Sequence, residues 1–217
     1  MTALIPPDDD GVTPLMRAAQ ENDSSAIARM AAEGVNLDAR DRDGNTALIH
    51  AAKNGAEEAA LMLMYHKADL RAANNDGHTA LMIAASNGLQ PLVERWVVMQ
   101  APVDATDKKE NSTALMMAIG VNDTWIACRL VEGGADFETL ADKNGNTALT
   151  LARRAFPAKD LAFFMHAVNR RHAAAEAAKT ARKIHEDEIA HSAGSLTHPV
   201  SAPKTAVFRR KTPGQTG

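Results

Sequence analysis

Side chains that could perform catalysis or hold a metal are few and scattered in this sequence. The single cysteine, Cys128, has no histidine and orienting partner at a consistent spacing, which a nucleophilic thiol requires. Glu188 and His191 form one Glu-x-x-His step, with His185 nearby, whereas a metal site of that type needs a second such pair from another helix. Phosphate-binding glycine loops, Cys-x-x-Cys pairs and Gly-x-Ser-x-Gly turns do not occur. We therefore expect a non-enzymatic protein with no catalytic residue, no metal site and no cofactor.

Composition describes an ordinary chain of 217 residues with an uneven distribution of charge. It is 45% hydrophobic but only 4% aromatic, which favours thin layers rich in alanine, leucine and methionine over one large core. Residues 1–167 carry a formal net charge of −8, and residues 168–217 carry +5. This balance argues against nucleic-acid binding by the whole protein and leaves only a weak contact through the basic C-terminal end.

The sequence also restricts the cellular compartments in which the protein is expected. No apolar run approaches the roughly 20 residues of a membrane helix, so we expect no membrane insertion. The acidic N-terminus lacks the basic start and apolar stretch of a secretory signal. One cysteine excludes an internal disulfide and fits a reducing environment. We expect a monomeric cytoplasmic protein, with delivery into another cell as the alternative.

A short motif recurs five times with a nearly constant period. Threonine followed two residues later by leucine occurs at Thr13, Thr46, Thr79, Thr113 and Thr147, which are 33, 33, 34 and 34 residues apart. Glycine precedes four of these threonines by two residues, and Asn111 takes its place in the fourth copy. The pattern predicts a tight turn, a helix capped by the threonine, and a face of small alanines that lets neighbouring helices approach closely.

A second helix follows the first in each of the first four copies. The predicted spans are 24–32, 57–66, 89–99 and 124–132. Trp96 occupies a position that other copies fill with methionine or leucine, which predicts a core residue. Gly34 and Gly134 suit a left-handed cap after this helix, but the middle copies have Lys67 and Gln100 there. Such residues cost about 1 kcal/mol in that conformation, so we expect the middle repeats to be locally less stable.

These motifs resemble the ankyrin repeat. The segments Asp-Gly-Val-Thr-Pro-Leu at 10–15 and Gly-Ala-Asp at 134–136 echo its consensus. The resemblance implies an all-α solenoid of about five helix-turn-helix repeats joined by β-turn tips, which binds a protein partner on its concave face. The family's histidine after the leucine is replaced here by Met16, Ile49, Met82, Met116 and Thr150. This departure predicts a looser turn network that is held more by apolar packing.

The repeats set the predicted domain boundaries. We expect a flexible N-terminus at 1–7, a repeat domain at 8–167, a helical extension at 168–193 and a disordered basic tail at 194–217. The five repeats fall at about 8–40, 41–73, 74–107, 108–141 and 142–167. After Phe156-Pro157 the chain predicts one long helix, in which Leu161, Phe163, Phe164, Met165 and Val168 could close the exposed end of the stack.

Three readings of the tail remain open. It could be an inert solubilising end, an anchor to an acidic surface that includes the repeat body itself, or a signal for transport. Its basic residues are Lys204, Arg209, Arg210 and Lys211, and it has no acidic ones.

Candidate contact residues lie at the turn tips and at the ends of the first helices. At the tips they are Asp9, Asp10, Val12, Arg42, Asp43, Asn45, Asn75, Asp76, His78, Lys109, Glu110, Ser112, Lys143, Asn144 and Asn146. The family resemblance adds the helix ends, namely Gln20, Glu21, Lys53, Asn54, Ser86, Asn87, Val121 and Arg154.

Trp125 is a separate anomaly on the second helix of the fourth repeat. Its counterparts Ser25, Glu58, Pro91 and Lys159 are not core residues, so we expect the indole on the outer face. There it would contact a partner or pack on the C-terminal helix.

Together these features predict a protein-protein interaction module, an adaptor or scaffold. The alternative is a secreted effector or inhibitor whose basic tail serves export.

Overall fold

The computed structural model describes residues 8–195, except for the side chains of residues 187, 188 and 190–195. The described helices are α1 (Pro14–Gln20), α2 (Ser24–Ala32), α3 (Ala47–Asn54), α4 (Glu57–Tyr65), α5 (Ala80–Ser86), α6 (Gln90–Val98), α7 (Ala114–Gly120), α8 (Thr124–Glu132), α9 (Ala148–Ala155) and α10 (Ala158–Ser195). The chain divides into two compact units, 1–173 and 174–217, and the last helix begins in the first unit. None of the described helices is long and apolar enough to cross a membrane.

The first unit is a stack of helix pairs in two layers. The first helices α1, α3, α5, α7 and α9 each pack against the next along the chain, and α2, α4, α6 and α8 do the same in a second layer. Each pair corresponds to one copy of the sequence motif. The predicted all-α solenoid of repeated helix pairs is therefore confirmed, and its second helices end within a residue or two of the predicted bounds.

Threonine starts every first helix as expected. The hydroxyls of Thr13, Thr46, Thr79, Thr113 and Thr147 each accept the backbone N–H three residues later, at 3.2–3.4 Å. In each case the threonine backbone is extended, which is the usual N-cap conformation. Pro14 occupies the first turn of α1, where a missing N–H has no cost.

Alanine pairs fill the layer between the first helices. Ala51 and Ala52 in α3, and Ala84 and Ala85 in α5, are completely buried. Because these side chains are small, adjacent first helices can approach closely without bulky core residues. Trp96 is 1% exposed and belongs to the core, as predicted.

Turn tips of adjacent repeats are joined by backbone hydrogen bonds. The N–H of Arg42 donates to Asp10 O at 3.0 Å, Asn75 N–H to Asp43 O at 2.9 Å, Lys108 N–H to Asp76 O at 2.9 Å and Lys143 N–H to Glu110 O at 2.9 Å. These bonds do not involve the side chain after the leucine, so the expectation that apolar packing holds the turn network more stays a prediction. Backbone groups connect the tips whatever residue follows the leucine.

Glycine is required in two of these tips for a steric reason. Gly44 has φ 78°, and a Cβ there would lie 2.5 Å from Asn75 Oδ1 and 3.0 Å from Asn75 N. Gly77 has φ 88°, and its Cβ would lie 2.8 Å from Lys108 N. The neighbouring tip occupies the space in which a side chain would begin, so these glycines allow both the turn and the stacking.

The C-terminal helix packs on the fourth repeat. Phe164 and Val168 of α10 are buried, and Phe164 contacts the ring of Phe156 with centroids 5.7 Å apart. Phe163 is 56% exposed, so its predicted role in closing the end is wrong. The helix turns that side chain away from the buried face that Phe164 and Val168 share. The ring of His172 also contacts Phe137, which follows α8.

A chain of charged side chains extends the same packing across three helices. Arg129 of α8 makes two hydrogen bonds to the Glu94 carboxylate of α6, at 2.5 and 2.6 Å. Arg129 also pairs with Glu132, which in turn accepts a hydrogen bond from Arg170 of α10. Planar guanidinium groups suit such paired contacts, so the second-layer helices α6, α8 and α10 are connected electrostatically as well as by packing.

The second unit is described only as helix, from residue 174 to Ser195. Its described side chains are exposed, and Lys179 pairs with Glu176 at 2.8 Å within the same helix. The prediction of one long helix ending near residue 193 agrees with these bounds. The flexible N-terminus at 1–7 and the basic tail from 196 onward lie outside the described residues.

Two residues adopt the left-handed conformation that was expected to be costly. Lys67 has φ 70° and Gln100 has φ 55°, where the outer repeats have Gly34 and Gly134. We predict that Gln100→Gly raises the free energy of unfolding by about 0.5–1 kcal/mol because it removes the Cβ clash. Urea denaturation measures this effect. Gln100→Ala is the matched control and gives no gain, since alanine keeps the Cβ. Equal stabilities of the glycine and alanine variants would contradict the explanation.

Candidate functional site

The turn tips and the ends of the first helices recur in every repeat, and we call the positions that they provide the tip-helix groove. Its tip segments are 8–12, 41–45, 74–78, 107–112 and 142–146, and its helix ends are 20–21, 53–54, 86–87, 120–121 and 153–154. A cleft of about 300 Å³ opens between the first two tips. It is lined by Asp10, Val12, Asp41, Arg42, Asp43, Asn45, His50 and Lys53.

A network of polar side chains lies in the wall of this cleft. Nε2–H of His50 donates to Asp41 Oδ2 at 2.8 Å, and the amide of Gln20 donates to His50 Nδ1 at 2.9 Å. The neutral imidazole with its proton on Nε2 satisfies both contacts. Because Gln20 belongs to α1 and His50 to α3, the network connects the first two repeats.

Asn45 has all its polar atoms engaged in the same network. Its Nδ2 donates to both Asp41 carboxylate oxygens at 3.0 and 3.2 Å, and its backbone N–H donates to Oδ1 at 2.7 Å. Its Oδ1 accepts from Lys53 Nζ at 2.9 Å and from Asn74 Nδ2 at 3.2 Å. Asn45 is only 1% exposed, so its predicted role as a partner-contacting tip residue is wrong. The tip folds it inward to join Asp41 to the next repeat.

The same hydrogen bonds determine the ionisation of Asp41. Burial alone would raise the pKa of Asp41, but hydrogen bonds from the side chain and backbone of Asn45, and from His50, lower it below its usual value. The folded chain therefore favours the carboxylate at this position.

Other predicted contact residues are accessible in the groove. Those exposed are Arg42, Asp43, Lys53, Asn54, Asn75, Asp76, Asn87, Lys109, Glu110, Val121, Lys143 and Asn144. His78 is half-buried, as is Ser86, whose hydroxyl donates to Ile83 O at 3.0 Å. Apart from Asn45, these predicted contact residues are exposed or half-buried, and their role in binding stays a prediction.

Several of these exposed side chains make no contact within the described part of the chain. The carboxylates of Asp43 and Asp76 and the ammonium groups of Lys109 and Lys143 form no ion pair or side-chain hydrogen bond there. Their backbone groups do hold the tips together. The groove thus uses backbone for stacking and leaves charged side chains available to solvent.

Two apolar side chains are exposed in the fourth repeat. Val121, at the end of α7, is 50% exposed where other repeats have Glu21, Asn54 and Asn87. Trp125, in the first turn of α8, is 37% exposed and lies in the second helix layer rather than beside the tips. Of the two, Val121 lies among the groove positions.

An aspartate or asparagine begins each tip, and its structural role was not predicted from the sequence. Oδ1 of Asp8, Asp41, Asn74, Asp107 and Asp142 accepts a backbone N–H three or four residues later in the same tip, at 2.6–2.9 Å. These residues stand five residues before the threonine, or six in the fourth repeat, and that spacing could have identified them. They shape the turn and direct the following residues into the groove.

Cys128, the single cysteine, is a buried residue of α8. It is 4% exposed, and Arg170 of α10 lies close enough to influence it. Burial, followed by the negative charge of Glu132, raises the pKa of the Cys128 thiol to about 11. The side chains of Glu188 and His191 are among those the structure leaves undescribed, and the described side chains hold no group of three or more metal-binding residues.

A second cleft lies at the other ends of the repeats. It measures about 410 Å³ and lies between the segments that follow α4 and α6, with Met64, Leu70, Met99 and Pro102 in its lining. Tyr65 is exposed nearby in sequence. This cleft is separate from the tip-helix groove because it lies after the second helices.

The Asp41 network generates a prediction about acid stability. The lowered pKa means that Asp41 stabilises the fold above its unfolded pKa, near 3.8, and that this contribution is lost as pH falls through the lower folded value. Asp41→Asn should reduce the free energy of unfolding at neutral pH by about 1–3 kcal/mol. This loss of unfolding free energy should be smaller near pH 3 than at neutral pH. Urea denaturation of the variant and the unmodified chain at the two pH values measures it.

Asp43→Asn is the matched control for that experiment, since Asp43 is exposed without a side-chain partner in the described chain. It should change stability by no more than about 0.5 kcal/mol. Equal effects of the two substitutions, or an Asp41 effect that does not depend on pH, would contradict the role given to the network.

Burial of Cys128 predicts that its thiol is alkylated slowly. Iodoacetamide should alkylate it roughly a hundredfold more slowly than an exposed cysteine near pH 8, because little of the thiol is ionised and access is blocked. Mass spectrometry of timed samples measures the rate. The control is Ser25→Cys in a Cys128→Ala background, because Ser25 is exposed. Comparable rates for the two thiols would overturn this assignment.

Comparisons with known sequences agree with the architecture. A search of curated proteins finds no match. A family model described as ankyrin repeats (3 copies) matches residues 2–74 and 81–162, which is well over half of the chain. Those residues include four of the five threonine caps, four of the five tips and, except for Ala80, the first nine helices described above. The chain therefore belongs to the ankyrin-repeat family.

Proposed function

We propose that this chain is a non-enzymatic adaptor that binds a protein partner in the tip-helix groove, on the concave side of the stack. Ankyrin repeats are generally protein-protein interaction modules and are generally not enzymes. The proposal assigns that general role to one surface of this molecule.

The observation that carries the proposal is the contrast between buried and free polar groups in the tips. The side chains of Asp41, Asn45 and His50 are largely buried and engage one another. Asp43, Asp76, Lys109 and Lys143 project from the same tips and are exposed without side-chain partners in the described chain. Structural needs of the tips are already met by the first set, so the second set is free to contact another molecule.

Repetition adds to this argument. Equivalent positions recur in each repeat, so exposed side chains form a continuous surface and not an isolated patch. A stiff surface of this kind loses little conformational entropy on binding, because its backbone is already fixed by the tip-to-tip hydrogen bonds. Such a surface suits a partner that lies along several repeats.

The test compares two sets of substitutions in affinity purification from the native cell with quantitative mass spectrometry. Arg42→Ala, His78→Ala, Lys109→Ala and Lys143→Ala together remove side chains from the groove. The amount of each partner captured by this variant should be about tenfold or more below the amount captured by the unmodified chain. The reason is that the contact residues that matter at an interface each contribute about 1 kcal/mol or more.

The control set carries Ser25→Ala, Arg29→Ala, Arg95→Ala and Lys159→Ala, which removes a similar number of cations from the second-layer helices. These residues are exposed outside the groove. The control should retain every partner. Undiminished capture of all partners by the groove variant would sink the proposal, provided that both variants unfold at the temperature of the unmodified chain.

A further inference from the structure

Charge is segregated along the tip-helix groove. In the first repeat its exposed positions include Asp9, Asp10 and Glu21, with no cation among them. In the last repeat they include Lys143 and Arg154, with no exposed acidic residue. The two ends of one surface therefore have opposite sign, although the chain as a whole is only slightly acidic.

These terminal charges are not neutralised by strong contacts within the described residues. Asp9, Glu21 and Lys143 have no side-chain partner there. Asp10 pairs with Arg42 at 3.1 Å, but both side chains are at least 70% exposed, so water screens the pair. Arg154 has only a long contact of 3.5 Å with Asn146. Both ends therefore keep charge that a partner can complement.

An apolar position lies one repeat before the basic end. Val121 is half exposed at the helix-end position where the first repeat has Glu21. Exposed valine in a polar row can be covered by an apolar side chain with a gain proportional to the area buried. The groove thus presents an acidic end, a polar centre, one apolar position and a basic end, in that order.

The length of the matching segment follows from helix packing. Neighbouring packed helices are about 10 Å apart, so the first and last of five repeats are separated by about 40 Å. An extended chain advances about 3.3 Å per residue, so about 12 residues cover that distance. One repeat corresponds to about three residues of the bound segment.

We infer that the groove binds an extended protein segment of about 12 residues with Lys or Arg at one end, Asp or Glu at the other, and an apolar residue about three positions from the acidic end. This inference rests on the proposed function and adds the chemistry of the partner. The segregated charge also fixes the direction in which such a segment lies along the repeats.

Selection from a displayed library of random peptides, about 16 residues long, tests this on the full chain at low salt. Selected peptides should carry a basic and an acidic cluster about 9–12 residues apart, with an apolar residue near the acidic one. A consensus peptide is then measured by fluorescence anisotropy against end variants. Asp9→Lys with Glu21→Lys, and Lys143→Glu with Arg154→Glu, should each weaken binding about tenfold or more.

Arg29→Glu with Arg95→Glu is the matched control for Lys143→Glu with Arg154→Glu, since it makes the same change of net charge on exposed second-layer residues. This control should bind the consensus peptide with an affinity within about twofold of that of the unmodified chain. Val121→Asp should weaken the consensus peptide as well, because it removes the apolar contact.

Failures of this inference and of the proposed function are distinguishable. Peptides that lack segregated charge, yet lose binding to Val121→Asp or to the groove alanine variant, would overturn the inference and leave groove binding intact. Loss of affinity in the control equal to that in the end variants would also overturn it, since net charge alone would then explain binding. Peptides that bind the groove alanine variant as tightly as the unmodified chain would contradict both proposals.

Discussion

Stacking of one repeat on the next is the constraint on which every other feature of this chain depends. A backbone N–H in each tip donates to the tip before it, and the first helices touch through alanine pairs that are completely buried in the middle repeats. At Gly44 and Gly77 the neighbouring tip leaves no room even for a Cβ atom. The small residues of the motif are therefore needed because the neighbours come so close.

Stacking also explains why some polar side chains are internal and others are available. A buried carboxylate such as that of Asp41 must be hydrogen-bonded, and Asn45 and His50 supply those bonds, while Gln20 of the preceding repeat donates to His50. The side chains of Arg42 and Asp43, one and two positions later in the tip, are exposed and do not need a buried hydrogen-bond partner. At the other end of the stack, α10 takes the place of a further repeat, and Glu94, Arg129, Glu132 and Arg170 extend the contacts to it.

Much of this architecture could be predicted from the sequence because its signals are local. The period located the helices, the threonine caps and the left-handed positions at Lys67 and Gln100, all of which depend on residues within a few positions of each other. The burial of Asn45 and Cys128 could not be predicted in that way. Asn45 is bonded to Asn74 in the next repeat, and Cys128 lies near Arg170 of the last helix, relations that repeat alignment alone does not reveal.

The central claim is that a partner lies along the tips and first helices. Hydrogen exchange of the full chain, measured by mass spectrometry with and without a saturating selected peptide, tests it most directly. The account predicts added protection at the tips and at the ends of α1, α3, α5, α7 and α9, with α2, α4, α6 and α8 unchanged. Protection confined to the second-layer helices, with the tips exchanging as before, would contradict it.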